Sequence, residues 1–135
     1  MRLLLFLVFG ALWLSGCVWL LLEHFFQKDT EFGVAPNPWQ PELLRLHGWL
    51  AILAVFLLGW MTSSHVPDRW RQPRNRLSGF SLAMLAGVLA LSGYALYYTT
   101  DHVHGVAAVI HEVLGVAAVG FALSHWWRAN GARGA

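Results

Sequence analysis

Seven histidines are the residues of this sequence whose type and spacing could do chemistry, and they stand at His24, His47, His65, His102, His104, His111 and His125. His47 and His65 are 18 residues apart, which is five turns of an α-helix, so both project from one helix face. His111 and His125 are 14 residues apart, close to four turns, and also share a face. The spacing therefore predicts two histidine stripes on two different helices.

The chemistry that suits these stripes is axial ligation of haem iron. Two helices that face each other and run in the same direction would bring His47 near His111, and His65 near His125. Such stacked pairs of imidazoles suit two haems, and bis-imidazole ligation leaves no open iron site, which favours electron transfer over oxygen chemistry. His104 lies seven residues before His111 on the same stripe and is the alternative outer ligand.

Other interpretations of the histidines stay open from the residues alone. A histidine in an apolar setting is often a hydrogen-bonded packing residue or a group at the edge of that setting, and this is the simpler interpretation of His24 and His102. Zinc or copper is the main chemical rival of haem, but zinc prefers four ligands close together, and these histidines are spread along the chain. The sequence has no Cys-x-x-Cys-His motif for covalent haem attachment.

The elements that must position these histidines follow from composition. Of the 135 residues, 57% are hydrophobic and 12% are charged, whereas soluble domains carry about 25% charged residues. An ordinary soluble enzyme, a disordered chain and a disulfide scaffold are excluded. Four apolar stretches, at about residues 3–22, 43–64, 77–98 and 102–127, have the length of roughly 20 residues that a spanning helix needs. We expect an all-α fold, a four-helix transmembrane bundle forming one integral membrane domain over residues 1–135.

The first apolar stretch contains a segment that resembles a lipoprotein signal, residues 14–17 with the sequence Leu-Ser-Gly-Cys. The apolar run continues beyond Cys17 to Leu22, which is longer than the h-region of about 7–15 residues in a signal peptide. We therefore expect this stretch to remain as a spanning helix.

Basic residues predict the orientation, because they collect on the cytoplasmic side of a membrane. Seven of the nine lie beside the predicted inner ends, at Arg2, Arg69, Arg71, Arg74, Arg76, Arg128 and Arg133. This predicts an up-down-up-down bundle with both termini in the cytoplasm, in a bacterial inner membrane. Topology explains the arginines, so we expect no nucleic-acid partner. Arg74 and Arg76 could also neutralise haem propionates.

One carboxylate, Glu112, lies deep in a predicted helix beside His111. Ionisable groups inside a membrane are costly and usually functional. Glu112 could hold a proton, face a quinone or orient a histidine, and a hydrogen-bonded packing role is an equal alternative.

The fourth span resembles the last helix of small four-helix membrane b-type cytochromes, relatives of cytochrome b561 and of the cytochrome b subunits of hydrogenase and formate dehydrogenase. The resemblance rests on residues 111–115 (His-Glu-Val-Leu-Gly) and 123–127 (Leu-Ser-His-Trp-Trp). Residues 46–48, 65–66, 74–79 and 92–94 are similar to a bacterial subgroup of unassigned function. The similarity covers roughly residues 43–127.

This resemblance implies haem b, two groups or at least one, and electron transfer across the membrane as a subunit of a redox complex. A redox protein partner and a link to quinol oxidation or quinone reduction are further implications, and whether the chain is an enzyme in its own right stays open. Better-known members take one ligand from helix 1, which here has no histidine inside the membrane, so His65 is given that role. The alternative function is a non-redox membrane anchor or assembly subunit.

Overall fold

The computed structural model describes residues 2–31, 33–64 and 76–131. Within these ranges the fold is built from four long helices, α1 (Arg2–Phe25), α2 (Gln40–Ser64), α3 (Arg76–Tyr98) and α4 (Asp101–Gly131). Each is long and apolar enough to cross a membrane, which confirms the prediction of four helical spans and indicates a multi-pass membrane protein. The candidate ligand His65 and the candidate propionate partner Arg74 lie outside the described residues.

Local sequence explains where the helices begin and end. Lipid offers no hydrogen bonds to the backbone, so each apolar segment satisfies its own peptide groups as a helix. Pro41 stands in the first turn of α2, where its missing N–H costs nothing. Between α3 and α4 the chain reverses within two residues, and Asp101 adopts a positive φ of 55° there, a conformation that aspartate tolerates better than most side chains.

A short β-hairpin lies in the connection between α1 and α2. Strands β1 (Lys28–Thr30) and β2 (Gly33–Ala35) pair antiparallel, with Lys28 opposite Ala35. Gly33 has a φ of 108°, which a residue with a side chain rarely adopts. Strands of three residues are too short to give a periodic signal, so this hairpin could not be predicted from the sequence.

The chain forms two compact units, Met1–Leu58 and Gly59–Ala135. In the first unit, α1 packs against α2 around the buried residues Val8, Ala54 and Leu57. In the second unit, the main packing is between α3 and α4. The expectation of a single domain over residues 1–135 stays a prediction.

Most large apolar side chains of the helices point outward. Leu77, Trp127 and Trp49 are 81%, 77% and 73% exposed, and many other leucines, valines and phenylalanines are also uncovered. Extended apolar surface of this kind is unusual for a soluble monomer. It is the surface that membrane lipid is expected to contact.

A buried polar group joins the end of α1 to the start of α2. Gln40, only 4% exposed, donates through Nε2 to Glu23 Oε2 at 2.6 Å. Its Oε1 accepts from the backbone N–H of Asn37 at 2.6 Å. Asn37 Oδ1 in turn accepts from the backbone N–H of Trp39, the residue that precedes α2. These bonds fix the point at which α2 begins.

We expect Gln40→Ala to lower the free energy of unfolding by about 1–3 kcal/mol, because it removes the partners of Glu23 and of the Asn37 N–H at a buried position. Thermal unfolding in detergent, followed by circular dichroism, measures the change. Glu42→Ala is the matched control, since it removes the exposed ion pair with Arg45 and leaves the bonds of Gln40 in place; for it we expect less than about 1 kcal/mol. Equal effects of the two substitutions would contradict this account of the junction.

Candidate functional site

His47 on α2 is held by α1. Its Nδ1 lies 3.0 Å from Ser15 Oγ and 3.1 Å from the backbone oxygen of Leu12. The Ser15 hydroxyl also donates to that same Leu12 oxygen at 2.9 Å. Ser15 is 5% exposed, so this polar group is enclosed between the two helices of the first unit.

His111 on α4 is held by α3 in the same way. Its Nδ1 lies 3.0 Å from Ser92 Oγ and 3.1 Å from the backbone oxygen of Leu89. The Ser92 hydroxyl donates to the Leu89 oxygen at 3.2 Å, and Ser92 is 8% exposed. Two histidines in different units of the chain therefore have equivalent surroundings.

These contacts favour the tautomer of each ring that carries its proton on Nδ1. A carbonyl oxygen can only accept a hydrogen bond, so the Nδ1 atoms beside Leu12 and Leu89 must be the donors. Each serine uses its own proton on the carbonyl, and its oxygen is then an acceptor for Nδ1–H. In the neutral form of each imidazole the ring lone pair then lies on Nε2.

A third contact of this kind involves His125, whose Nδ1 lies 3.0 Å from Ser78 Oγ on α3. Ser78 and Ser92 are 14 residues apart, as are His111 and His125. The two contacts occur in opposite order along the helices, so α3 and α4 are antiparallel. At 1.5 Å per residue the contacts are separated by about 21 Å along the helix axis.

A glycine follows each of the three serines and allows the imidazole to approach the helix backbone. A Cβ atom on Gly16 would lie 3.0 Å from Cε1 of His47, and one on Gly93 would lie 3.1 Å from Cε1 of His111. Both distances are shorter than ordinary carbon contacts. At Gly79 the corresponding distance to Cε1 of His125 is 3.7 Å, which is normal van der Waals contact. We call each serine and glycine with its histidine a Ser-Gly contact.

The serines and glycines of the Ser-Gly contacts were not predicted from the sequence. The signal that could have found them is the tripeptide Leu-Ser-Gly, which occurs three times, at residues 14–16, 77–79 and 91–93. Its first copy is the segment that resembles a lipoprotein signal. The 14-residue interval between the second and third copies equals the interval between His111 and His125, as expected for two antiparallel helices in contact.

The other predicted site residues within the described ranges do not take part in the Ser-Gly contacts. His104, the alternative outer ligand, is exposed, as are His24 and His102. Glu112 is half-buried beside His111 on α4, and Arg76 is exposed at the start of α3. Among the described residues, no three or more His, Cys, Asp or Glu side chains form a group that could hold a metal ion.

Comparisons with protein-family models, with curated proteins and with solved structures found no match to this chain.

Glycine-to-alanine substitutions test how closely the imidazoles approach. At Gly10 and Gly87, where a Cβ would meet nothing within 4 Å, we expect alanine to stabilise the helix by about 0.5–1 kcal/mol. At Gly16 and Gly93 we expect no gain or a loss, because the new methyl group must displace an imidazole. Gly79→Ala should stabilise its helix as alanine does at Gly10 and Gly87, because its Cβ would make only ordinary van der Waals contact with His125. Thermal unfolding of the five variants checks this order, and stabilisation at Gly16 and Gly93 equal to that at Gly10 would refute it.

Proposed function

We propose that this chain is a membrane b-type cytochrome that carries electrons through haem held by its histidines. The observation that carries the proposal is the hydrogen bonding of His47 and His111, whose Nδ1–H groups are directed to a carbonyl and a serine. Histidines that bind a metal through one nitrogen almost always donate the other ring N–H to such an acceptor. When bound, haem supplies one-electron redox chemistry, and the protein supplies position and ligand strength.

The described histidines fit the chemistry of an axial ligand. An iron ligand must be a neutral imidazole with its lone pair on the coordinating nitrogen. Donation from Nδ1–H leaves Nε2 as the nitrogen with the lone pair in the neutral rings of His47 and His111. His125 has the serine contact, and its 14-residue interval from His111 is the sequence feature from which its role as a second ligand on this helix was predicted.

The proposed ligand set is His47, His65, His111 and His125, for two haems or at least one. The pairing of His47 with His111 and of His65 with His125 stays a sequence-based prediction. The equivalent surroundings of His47 and His111 support His111 over His104 as the outer ligand, because the exposed His104 has no Ser-Gly contact.

Other parts of the proposal concern the charged groups and the cellular setting. Arg74 and Arg76 would pair with haem propionates, and Glu112 would hold a proton or face a quinone. The bundle would run up-down-up-down with both termini in the cytoplasm of a bacterial cell. The inner membrane would hold it as a subunit of a redox complex, with a redox protein and a quinone as partners.

The second candidate is a non-redox membrane anchor or assembly subunit. The same Ser-Gly contacts are compatible with it, because each also links two neighbouring helices by a hydrogen bond. In that role the histidines would contribute to helix packing alone. Haem content separates the two candidates.

Protein purified from membranes of cells with ample haem is expected to be red, with b-type absorption bands on reduction and a positive pyridine haemochrome assay. We expect His47→Ala and His111→Ala each to lose the same haem, and His125→Ala to lose the other. His24→Ala and His104→Ala are the controls and should keep full haem content. A colourless wild-type protein would overturn the proposal, and loss of haem from His104→Ala but not from His111→Ala would reverse the choice of outer ligand.

The proposed orientation has a separate test. A reporter that is active only in the cytoplasm, fused after Ala135, should be active, and one inserted in the β-hairpin between α1 and α2 should be inactive. The expected result follows from the excess of arginines at the predicted inner ends. The opposite pattern of activities would show that the bundle is inverted.

A further inference from the structure

We propose that Ser15 and Ser92 are positioning residues that set the ligand strength of His47 and His111. This inference rests on the proposed haem binding and adds a role for residues outside the ligand set. Three features shared by the two serines support it. Each serine Oγ lies 3.0 Å from Nδ1 of its histidine, and each hydroxyl donates to a carbonyl of its own helix. Both serines are also buried.

The serine fixes the orientation of the imidazole. Nδ1–H has two acceptors on the neighbouring helix, the serine oxygen and the carbonyl oxygen three residues earlier, at Leu12 or Leu89. A ring held at one edge by two acceptors has little freedom to rotate about its side-chain bonds. Since Gly16 and Gly93 leave no atom between ring and backbone, the same helix limits the position of Cε1.

The serine also changes the electronic character of the ring. A hydrogen bond from Nδ1–H raises the basicity of the imidazole, so Nε2 becomes a stronger donor to a bound metal. A stronger donor stabilises the oxidised, more positive iron. A serine that donates to a carbonyl is a better acceptor than an isolated hydroxyl, because linked hydrogen bonds polarise one another.

Neutral serine suits this role inside a membrane. A carboxylate beside the imidazole would raise ligand basicity further, but a charged side chain in the bilayer is costly. The hydroxyl bonds its own helix and the histidine at once, so no charge is introduced.

The test is a spectroscopic redox titration of the purified holoprotein with Ser15→Ala and with Ser92→Ala. We expect each substitution to shift the reduction equilibrium about tenfold towards the reduced form, which is about 59 mV for a one-electron couple. Haem should also be retained about 10–100-fold less tightly. If His47 and His111 ligate one haem, both substitutions shift the same component of the titration, and Ser78→Ala shifts the other.

The matched control is Ser81→Ala on α3. Ser81 is exposed and donates to the Leu77 carbonyl of its own helix at 2.9 Å, so the substitution removes a similar backbone bond away from the Ser-Gly contacts. We expect its titration to coincide with that of the wild type. A shift in Ser81→Ala as large as in Ser92→Ala would assign the effect to helix packing and overturn the inference.

Ser15→Cys and Ser92→Cys keep the side chain close to its original size and provide a second measurement if an alanine variant does not fold. A thiol is a weak donor and a weak acceptor, so we expect a shift in the same direction. If the wild-type protein binds haem and the folded serine variants have the same reduction potentials and haem retention as the wild type, this inference alone is overturned. A wild-type protein without haem would overturn the proposed function itself, so the two failures are distinguishable.

Discussion

The packing of the helices depends on the need to give each imidazole hydrogen-bond partners in an apolar medium. A neutral imidazole has one donor and one acceptor nitrogen, and an unsatisfied polar group costs several kcal/mol in a lipid-like environment. The neighbouring helix satisfies Nδ1 of His47 through Ser15 and the Leu12 carbonyl. The other unit repeats the arrangement with different residues. The hydrogen bond that directs each ring therefore also determines which parts of two helices meet.

The antiparallel pair of α3 and α4 shows how strongly this contact constrains helix register. Lipid tails are as apolar as leucine, so apolar surface alone gives little preference for one helix alignment over another. Ser78 with His125 and Ser92 with His111 fix the alignment at two points about 21 Å apart. Sliding either helix by one turn would break both contacts. Small residues at the contacts let the backbones approach, as is common where membrane helices pack.

Much of the fold could be predicted from the sequence because lipid imposes a length and a composition on each span. The predicted helices at residues 3–22 and 102–127 are observed at Arg2–Phe25 and Asp101–Gly131. They extend further because backbone hydrogen bonding continues past the last apolar residue into polar ends such as Glu23. His47 and His111 stood out because an ionisable group in an apolar segment is costly. Ser92 did not, because a serine in such a helix can bond its own backbone and leaves no sign of a second partner.

The Ser-Gly contacts bear on the role of the histidines in this protein. A histidine that only packs could satisfy Nδ1 with any nearby polar group, and equivalence between sites would have no purpose. His47 and His111 instead have the same two acceptors at the same distances, with a glycine against the same ring edge. Helix packing alone requires a hydrogen bond at each place, whereas the repeat of the same two acceptors also gives both rings the same tautomer. The proposed coordination of haem iron would depend on that tautomer, because a ligating imidazole donates its other ring N–H to an acceptor.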